Sequence, residues 1–219
     1  MKKAIIFDMD GLMIDSETVT FQAYQFVLKE MNLSMSIDFY KTLLGKTIPD
    51  IHQRFYEVYG PDFPVENLIK KTHERVEYIF KTQGVPLKKG LIELLEYLKQ
   101  HHYRTIVATS SQRKRVDEIL SLAHIEHYFD DSICGDEVSR GKPHPEVFLN
   151  SCHKLHVLPH EAIVLEDSEP GIQAAYDGNI DVICIPDMKM PEKYYQNMTT
   201  EIFESLNDVI DYLEKKNVS

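Results

Sequence analysis

Short apolar runs punctuate the chain and alternate with stretches whose apolar positions recur every three or four residues. Ala4–Phe7, Thr105–Ala108, Ser132–Cys134, Ala162–Leu165 and Val182–Ile185 lack the in-and-out alternation of a half-exposed strand, so they read as strands buried on both faces. Leu91, Leu94, Leu95 and Leu98 follow i, i+3, i+4, i+7, which predicts an amphipathic helix over Gly90–Gln100. Arg113–Leu122, Pro145–Leu155 and Pro170–Gly178 also read as helices. Pro145 and Pro170 suit a first helical turn, where the missing N–H has no partner to lose. Strands alternating with helices predict an α/β fold, a doubly wound parallel sheet of Rossmann-like form.

One stretch departs from the alternation. Ser16–Met31 places Phe21, Tyr24, Leu28 and Met31 on one stripe, Asp50–Tyr59 follows, and Val65–Lys81 carries Leu68, Ile69, Thr72, Val76 and Ile79. No strand is expected there. The expected organisation is a core of residues 1–14 and 88–219, with a helical cap domain, residues 15–87, inserted after the first strand. The crossings at Ile14–Glu17 and Gly84–Lys89 would run side by side as a hinge. Asp187–Thr199 is polar and Met-rich and reads as a loop.

Composition narrows the class. Across 219 residues, 43% are hydrophobic and 27% charged, ordinary for a globular protein. The net charge of −11 argues against nucleic acid and anionic membranes, which select basic surfaces. No apolar run approaches the roughly 20 residues of a spanning helix. The four apolar residues before Asp8 fall short of the about 7–15 of a signal peptide. Cys134, Cys152 and Cys184, odd in number and widely spaced, fit a reducing cytoplasm without disulfides or a zinc motif. A cytoplasmic monomer is expected.

Four polar clusters follow predicted strands, where open parallel sheets place their sites. They are Asp8-Met9-Asp10-Gly11, Thr109-Ser110-Ser111, Gly141-Lys142-Pro143-His144-Pro145 and Glu166-Asp167-Ser168. If the strand ends converge, Asp8, Asp10, Glu166 and Asp167 crowd four carboxylates together, which calls for a cation. Oxygen-only ligands select a hard ion, Mg²⁺ foremost. Lys142 adds one fixed positive charge, and Thr109 with the following N–H groups can hold phosphate oxygens. That set suits phosphoryl transfer.

With Asp15-Ser16, Glu146, Gly171-Ile172 and Ala174-Ala175 added, the chain resembles the haloacid dehalogenase-like hydrolase superfamily, in its beta-phosphoglucomutase-like group. The resemblance implies Asp8 as the nucleophile that takes up the phosphoryl group and Asp10 as general acid and base. It implies Mg²⁺ on Asp8, the Asp10 carbonyl and Asp167, with Glu166 supporting, and phosphate held by Thr109 and Lys142. Ser16, Ser110 and Ser111, with Gly45 and Lys46 of the cap loop Leu44–Pro49, are the expected substrate contacts. The substrate implied is a small phosphorylated metabolite, foremost a sugar phosphate.

The chain departs from beta-phosphoglucomutases in the cap loop. There a lysine precedes the glycine and an arginine follows three residues after it; here those positions are Leu44 and Ile48. Missing charge-assisted contacts make a bisphosphate harder to hold, so a phosphatase is expected, with a phosphosugar mutase as the alternative. A receiver domain would be shorter, without a helical insertion. His153, His156 and His160 are interrupted by Pro159 and read as surface residues. His144 either starts a helix or touches the site. Arg113-Lys114-Arg115 reads as a solvated basic face.

Overall fold

β1 (Ala4–Phe7) is wholly buried, and the chain then leaves for four helices: α1 (Ser16–Glu30), α2 (Ile37–Lys41), α3 (Ile48–Tyr59) and α4 (Val65–Gln83). Strands and helices then interleave: α5 (Leu91–Gln100), β2 (Arg104–Ala108), α6 (Arg113–Leu122), β3 (Asp131–Ile133), α7 (Glu146–Lys154) and β4 (Ala162–Glu166). α8 (Glu169–Asp177), β5 (Asp181–Cys184), α9 (Lys193–Gln196), β6 (Glu201–Ile202) and α10 (Asn207–Val218) complete them. The structure, a computed structural model, describes residues 2–218. The chain divides into two compact units, one of residues up to Asp15 and from Val85 onward, the other Ser16–Gly84.

In the first unit the strands form one sheet in the order β3-β2-β1-β4-β5-β6, every neighbouring pair parallel. Phe7 is in register with Val107 on one side and Leu165 on the other. The carboxyl ends of β1, β2 and β4 therefore lie at one edge. Even-numbered strand residues, among them Ile6, Ile106, Ala108, Val164 and Val182, pack on Val147 and Phe148 of α7 and on Ile172, Ala174 and Ala175 of α8. Odd-numbered Ile5, Phe7, Val107, Ile163 and Leu165 are equally buried on the other face. There α5 packs on β2 and α10. Leu91, Leu94, Leu95 and Leu98 of α5 are all buried, each contributing about 1.5–3 kcal/mol. The sheet is the doubly wound parallel one expected.

The second unit is all helix. Phe55 of α3 has no exposed surface and meets the rings of Tyr24, Phe39, Tyr59 and Phe63 at 5.6–6.0 Å. α1 and α4 pack on each other through Val19, Ala23, Val27 and Leu28 against Leu68, Thr72, Val76 and Ile79. The α1 stripe is thus rotated from the one expected: Phe21 is only half-buried, and small Ala23 lets the helices approach. Thr47 caps α3, its hydroxyl donating to Asp50 Oδ2 at 2.7 Å and accepting from Asp50 N at 3.4 Å.

Asp187–Thr199, expected as a loop, contains the four-residue helix α9; Glu192 N–H donates to Glu169 and starts the turn. No helix among the described residues is long and apolar enough to cross a membrane.

Candidate active site

Asp8 extends β1 by one residue, its N–H donating to the Leu165 carbonyl at 3.0 Å. It is 7% exposed. The chain then closes a tight loop, with Met13 and Ile14 N–H on the Met9 carbonyl and Gly11 N–H on that of Ile14. Gly11 sits at φ +85°, and a Cβ there would stand 2.3 Å from Asp167 Oδ2. Only glycine gives both the left-handed turn and the close approach.

Glu166, at the end of β4, has no exposed surface. Its Oε2 accepts from Asp167 N, Ser168 N and Ser168 Oγ, each at 2.9 Å. Ser168 also caps α8 by accepting from Gly171 N at 3.2 Å. A Cβ at Gly171 would meet Glu166 Oε1 at 1.7 Å, so the first turn of α8 closes over this carboxylate. Glu166 Oε1 accepts from Lys142 Nζ at 2.7 Å. Lys142 also donates to the Ala108 carbonyl at 3.1 Å and to Asp8 Oδ1, and lies 4.8 Å over the Phe148 ring. Its side chain is 6% exposed.

These groups shift one another. Burial pushes the Asp8 carboxyl up to about 7; Lys142 opposes this and Glu166 adds to it. Burial likewise holds Asp167 well above the usual carboxylate range, helped by Glu166 and Asp8. Burial works against the Lys142 cation, yet Asp8 and Glu166 together keep it above the ordinary lysine value.

Asp8, Glu166 and Asp167 are the group of metal-ligating side chains that converges among the described residues, with oxygens within 4.8 Å of one another. Asp167 Oδ1 is buried without a hydrogen-bond partner. An orphaned buried oxygen in an all-oxygen set carrying more negative than positive charge fits a hard cation. His153, His156 and His160 belong to no such group.

A second cluster adjoins the first in sequence. Asp10 Oδ2 accepts from Ser111 Oγ at 2.8 Å, and Ser111 N–H donates to Thr109 Oγ1 at 3.1 Å. Thr109 is buried and extends β2, its N–H on the Ile133 carbonyl. Ser110 is exposed beside it.

The other expected contacts lie in or at the edge of the helical unit. Ser16 begins α1 with its hydroxyl buried and unpartnered. Gly45, at φ +69°, and Lys46 form an exposed turn before α3. His144, in the sheet unit, lies two residues ahead of α7, its Nδ1 accepting from Glu146 N, the first residue of that helix, at 3.2 Å.

One residue of this site was missed. The basic run at the start of α6 is not a solvated face: only Lys114 is exposed. Arg113 binds Glu137 at 2.7 Å, Asp117 at 3.3 Å and the Ser132 hydroxyl at 2.5 Å. Arg115 Nη2 donates to Asp10 Oδ1 at 2.7 Å. The available signal was three cations in a first turn, where the helix dipole disfavours them.

Known proteins are similar to this chain over most of its length. The model of the haloacid dehalogenase-like hydrolase family matches residues 5–185. The "Phosphorylated carbohydrates phosphatase" of Thermotoga maritima is 32% identical over 181 residues, 83% of each chain. The "Fructose-1-phosphate phosphatase YqaB" of Escherichia coli is 30% identical over 181 residues, 82% of this chain and 94% of that one. A solved HAD family hydrolase from Deinococcus radiodurans superposes with a TM-score of 0.86 at 21% identity, covering 99% of this chain and 97% of that one. With sequence, sheet and length in agreement, the chain belongs to the haloacid dehalogenase-like hydrolases and is an enzyme of that class.

Proposed function

We propose that this enzyme is a Mg²⁺-dependent phosphatase of small phosphorylated metabolites, sugar phosphates foremost, acting through an aspartyl-phosphate on Asp8. The observation that carries this is the pairing of a buried Asp8, gripped by Lys142, with a second carboxylate two residues on, held apart by Ser111 and Arg115. One carboxylate is placed to attack phosphorus and the other to move a proton. The names of the Thermotoga maritima and Escherichia coli relatives support the substrate class.

In the first step an Asp8 oxygen bonds to phosphorus as the bond to the substrate's bridging oxygen breaks, and protonated Asp10 gives that oxygen its proton. In the second, ionised Asp10 takes a proton from water as the water oxygen bonds to phosphorus and the Asp8–phosphorus linkage breaks. Lys142 and Thr109, with the Ser110 and Ser111 N–H groups, would bind the transferring phosphoryl oxygens. Asp8, Asp167 and the Asp10 carbonyl would hold Mg²⁺, with Glu166 in support, and the ion would supply charge neutralisation for those oxygens. A nucleophile must be ionised; Lys142 opposes the upward pull of burial on Asp8, and a bound cation would add to that. Ser16, Gly45 and Lys46 belong to the reading as substrate contacts, and residues 15–87 as the cap that selects the substrate. The buried free cysteines accord with a reducing cytoplasm.

The test is a phosphorus NMR time course with Mg²⁺ and a panel of sugar and nucleotide monophosphates, including β-glucose 1-phosphate with a trace of glucose 1,6-bisphosphate. Free phosphate from wild type and none from Asp8→Asn supports the phosphatase. Glucose 6-phosphate without free phosphate would overturn it in favour of a mutase.

A further inference from the structure

Within that phosphatase reading, we propose that Arg115 is a positioning residue: with Ser111 it clamps the Asp10 carboxylate at two points and so sets the direction in which Asp10 passes its proton.

An aspartate carboxylate turns freely about its last side-chain torsion, which has only broad minima. One hydrogen bond fixes the distance of such a group and leaves its plane free. Asp10 has two, on different oxygens: Ser111 Oγ on Oδ2 at 2.8 Å and Arg115 Nη2 on Oδ1 at 2.7 Å. The plane is thereby fixed, and with it the lone pairs left for the reacting proton. The planar guanidinium suits this task, since its donors point in set directions.

The first turn of α6 sends its three cations to different places. The first turn carries Arg113, Lys114 and Arg115 and no acidic residue, against the preference of a helix N-terminus. Arg113 is answered by Ser132 of β3 and by Glu137 just beyond it, which anchors the start of the helix to the sheet edge, and by Asp117 one turn on in α6 itself. Arg113 N–H also donates to Asp136 Oδ1 at 2.9 Å. Lys114 is exposed. Arg115 turns the other way, onto Asp10. Both halves of the clamp therefore ride on one continuous segment, Ser111 to Arg115, docked at one end to Thr109 and at the other to the sheet edge. A local preference broken where a site gains a contact is the signature of a functional position.

The test uses the full chain with Mg²⁺ and the monophosphate that wild type turns over best. Arg115→Ala is expected to lower kcat about 10- to 100-fold, with KM within about threefold, the cost of a misdirected reacting group. Arg115→Lys, which keeps charge without the fork, recovers part of the rate. Added guanidinium ion at tens of millimolar restores part of the Arg115→Ala rate and none of a loss due to misfolding. Lys114→Ala, one residue away with the same charge, leaves kcat unchanged. An Arg115→Ala kcat within about twofold of wild type overturns the proposal. A rise in KM at constant kcat overturns it too, since Arg115 would then bind substrate. A folded Arg115→Ala with a low kcat that guanidinium fails to raise also counts against it. If wild type releases no phosphate from any monophosphate, the phosphatase reading fails and this proposal with it; if only the Arg115 variants behave otherwise, the reading stands without it.

Discussion

The Lys142 ammonium bridges the carboxylates of Asp8 and Glu166, 2.7 Å from Glu166 Oε1. All three groups are almost entirely shielded from water. Such a trio is held by mutual compensation, and removing the one cation leaves two buried like charges facing each other.

Lys142→Met is therefore expected to cost about 3–5 kcal/mol of unfolding free energy at pH 7. The cost shrinks at pH 5, where the Asp8 carboxyl, already raised by burial and now freed of its cation, takes up a proton. Urea unfolding at the two pH values measures this, and an equal loss at both would count against it. Turnover should fall by a factor on the order of 10² to 10³, as when a donor to the transition state is removed.

Asp8 gives the pH dependence its sign. Its carboxyl titrates at about 7 in the fold against an ordinary 3.8. Between those values the native state binds more protons than the unfolded chain. The cation-free protein draws most stability from this group below about pH 4 and loses it as pH rises through 7. A bound divalent cation removes that penalty by stabilising the ionised form. The Mg²⁺-induced rise in Tm should be larger at pH 8 than at pH 5, and the difference should flatten in Asp8→Asn. Equal shifts at both pH values in wild type would refute this assignment.

Two glycines separate cation binding from packing. Gly11→Ala puts a methyl against Asp167 Oδ2 and strains a left-handed residue, so the thermal response to Mg²⁺ should be lost. Gly171→Ala pushes on Glu166 instead, inside a closed hydrogen-bond set. It should lower stability by about 1–3 kcal/mol with or without the ion, the usual cost of overpacking. Thermal melts with and without Mg²⁺ distinguish the two, and a Gly11→Ala protein with a wild-type Mg²⁺ response would contradict the geometry.

Burial pushes the thiols of Cys134 and Cys152 up to about 11 and that of Cys184 up to about 12. At pH 8 the folded protein should present no thiol to a thiol-reactive dye, and the denatured chain all three. Rapid labelling of any of them in the folded protein would contradict the burial described.

Buried runs such as Ala4–Phe7 and Ala162–Leu165 were legible as strands because no other element buries every successive side chain over so short a length. β6, two residues long, and α9, four, carry too few positions for any period to emerge. α10 does carry a helical spacing in Val209 and Leu213, continued by Leu206 just ahead of it, although the expected elements end before it. In the site, Asp8, Thr109, Glu166 and Asp167 could be read because each ends a recognisable strand. Arg115 could not, because its partner lies 105 residues away and the contact depends on which way α6 faces. Local pattern also could not say that the Ser111 hydroxyl meets Asp10.

The chain departs the sheet unit at Asp15 and is back at Pro86, where the Asp15 N–H meets the Pro86 carbonyl at 2.9 Å. Ile14 bridges to Leu87 and Lys88 N–H returns to Met13. Topologically, everything between is a single excursion from an otherwise closed body, the equivalent of one surface turn. Such a gene can exchange or rewrite the whole interval without reordering a strand. Changes to the excursion and changes to the sheet-end residues then accumulate on separate stretches of sequence, each open to selection while the other stays fixed.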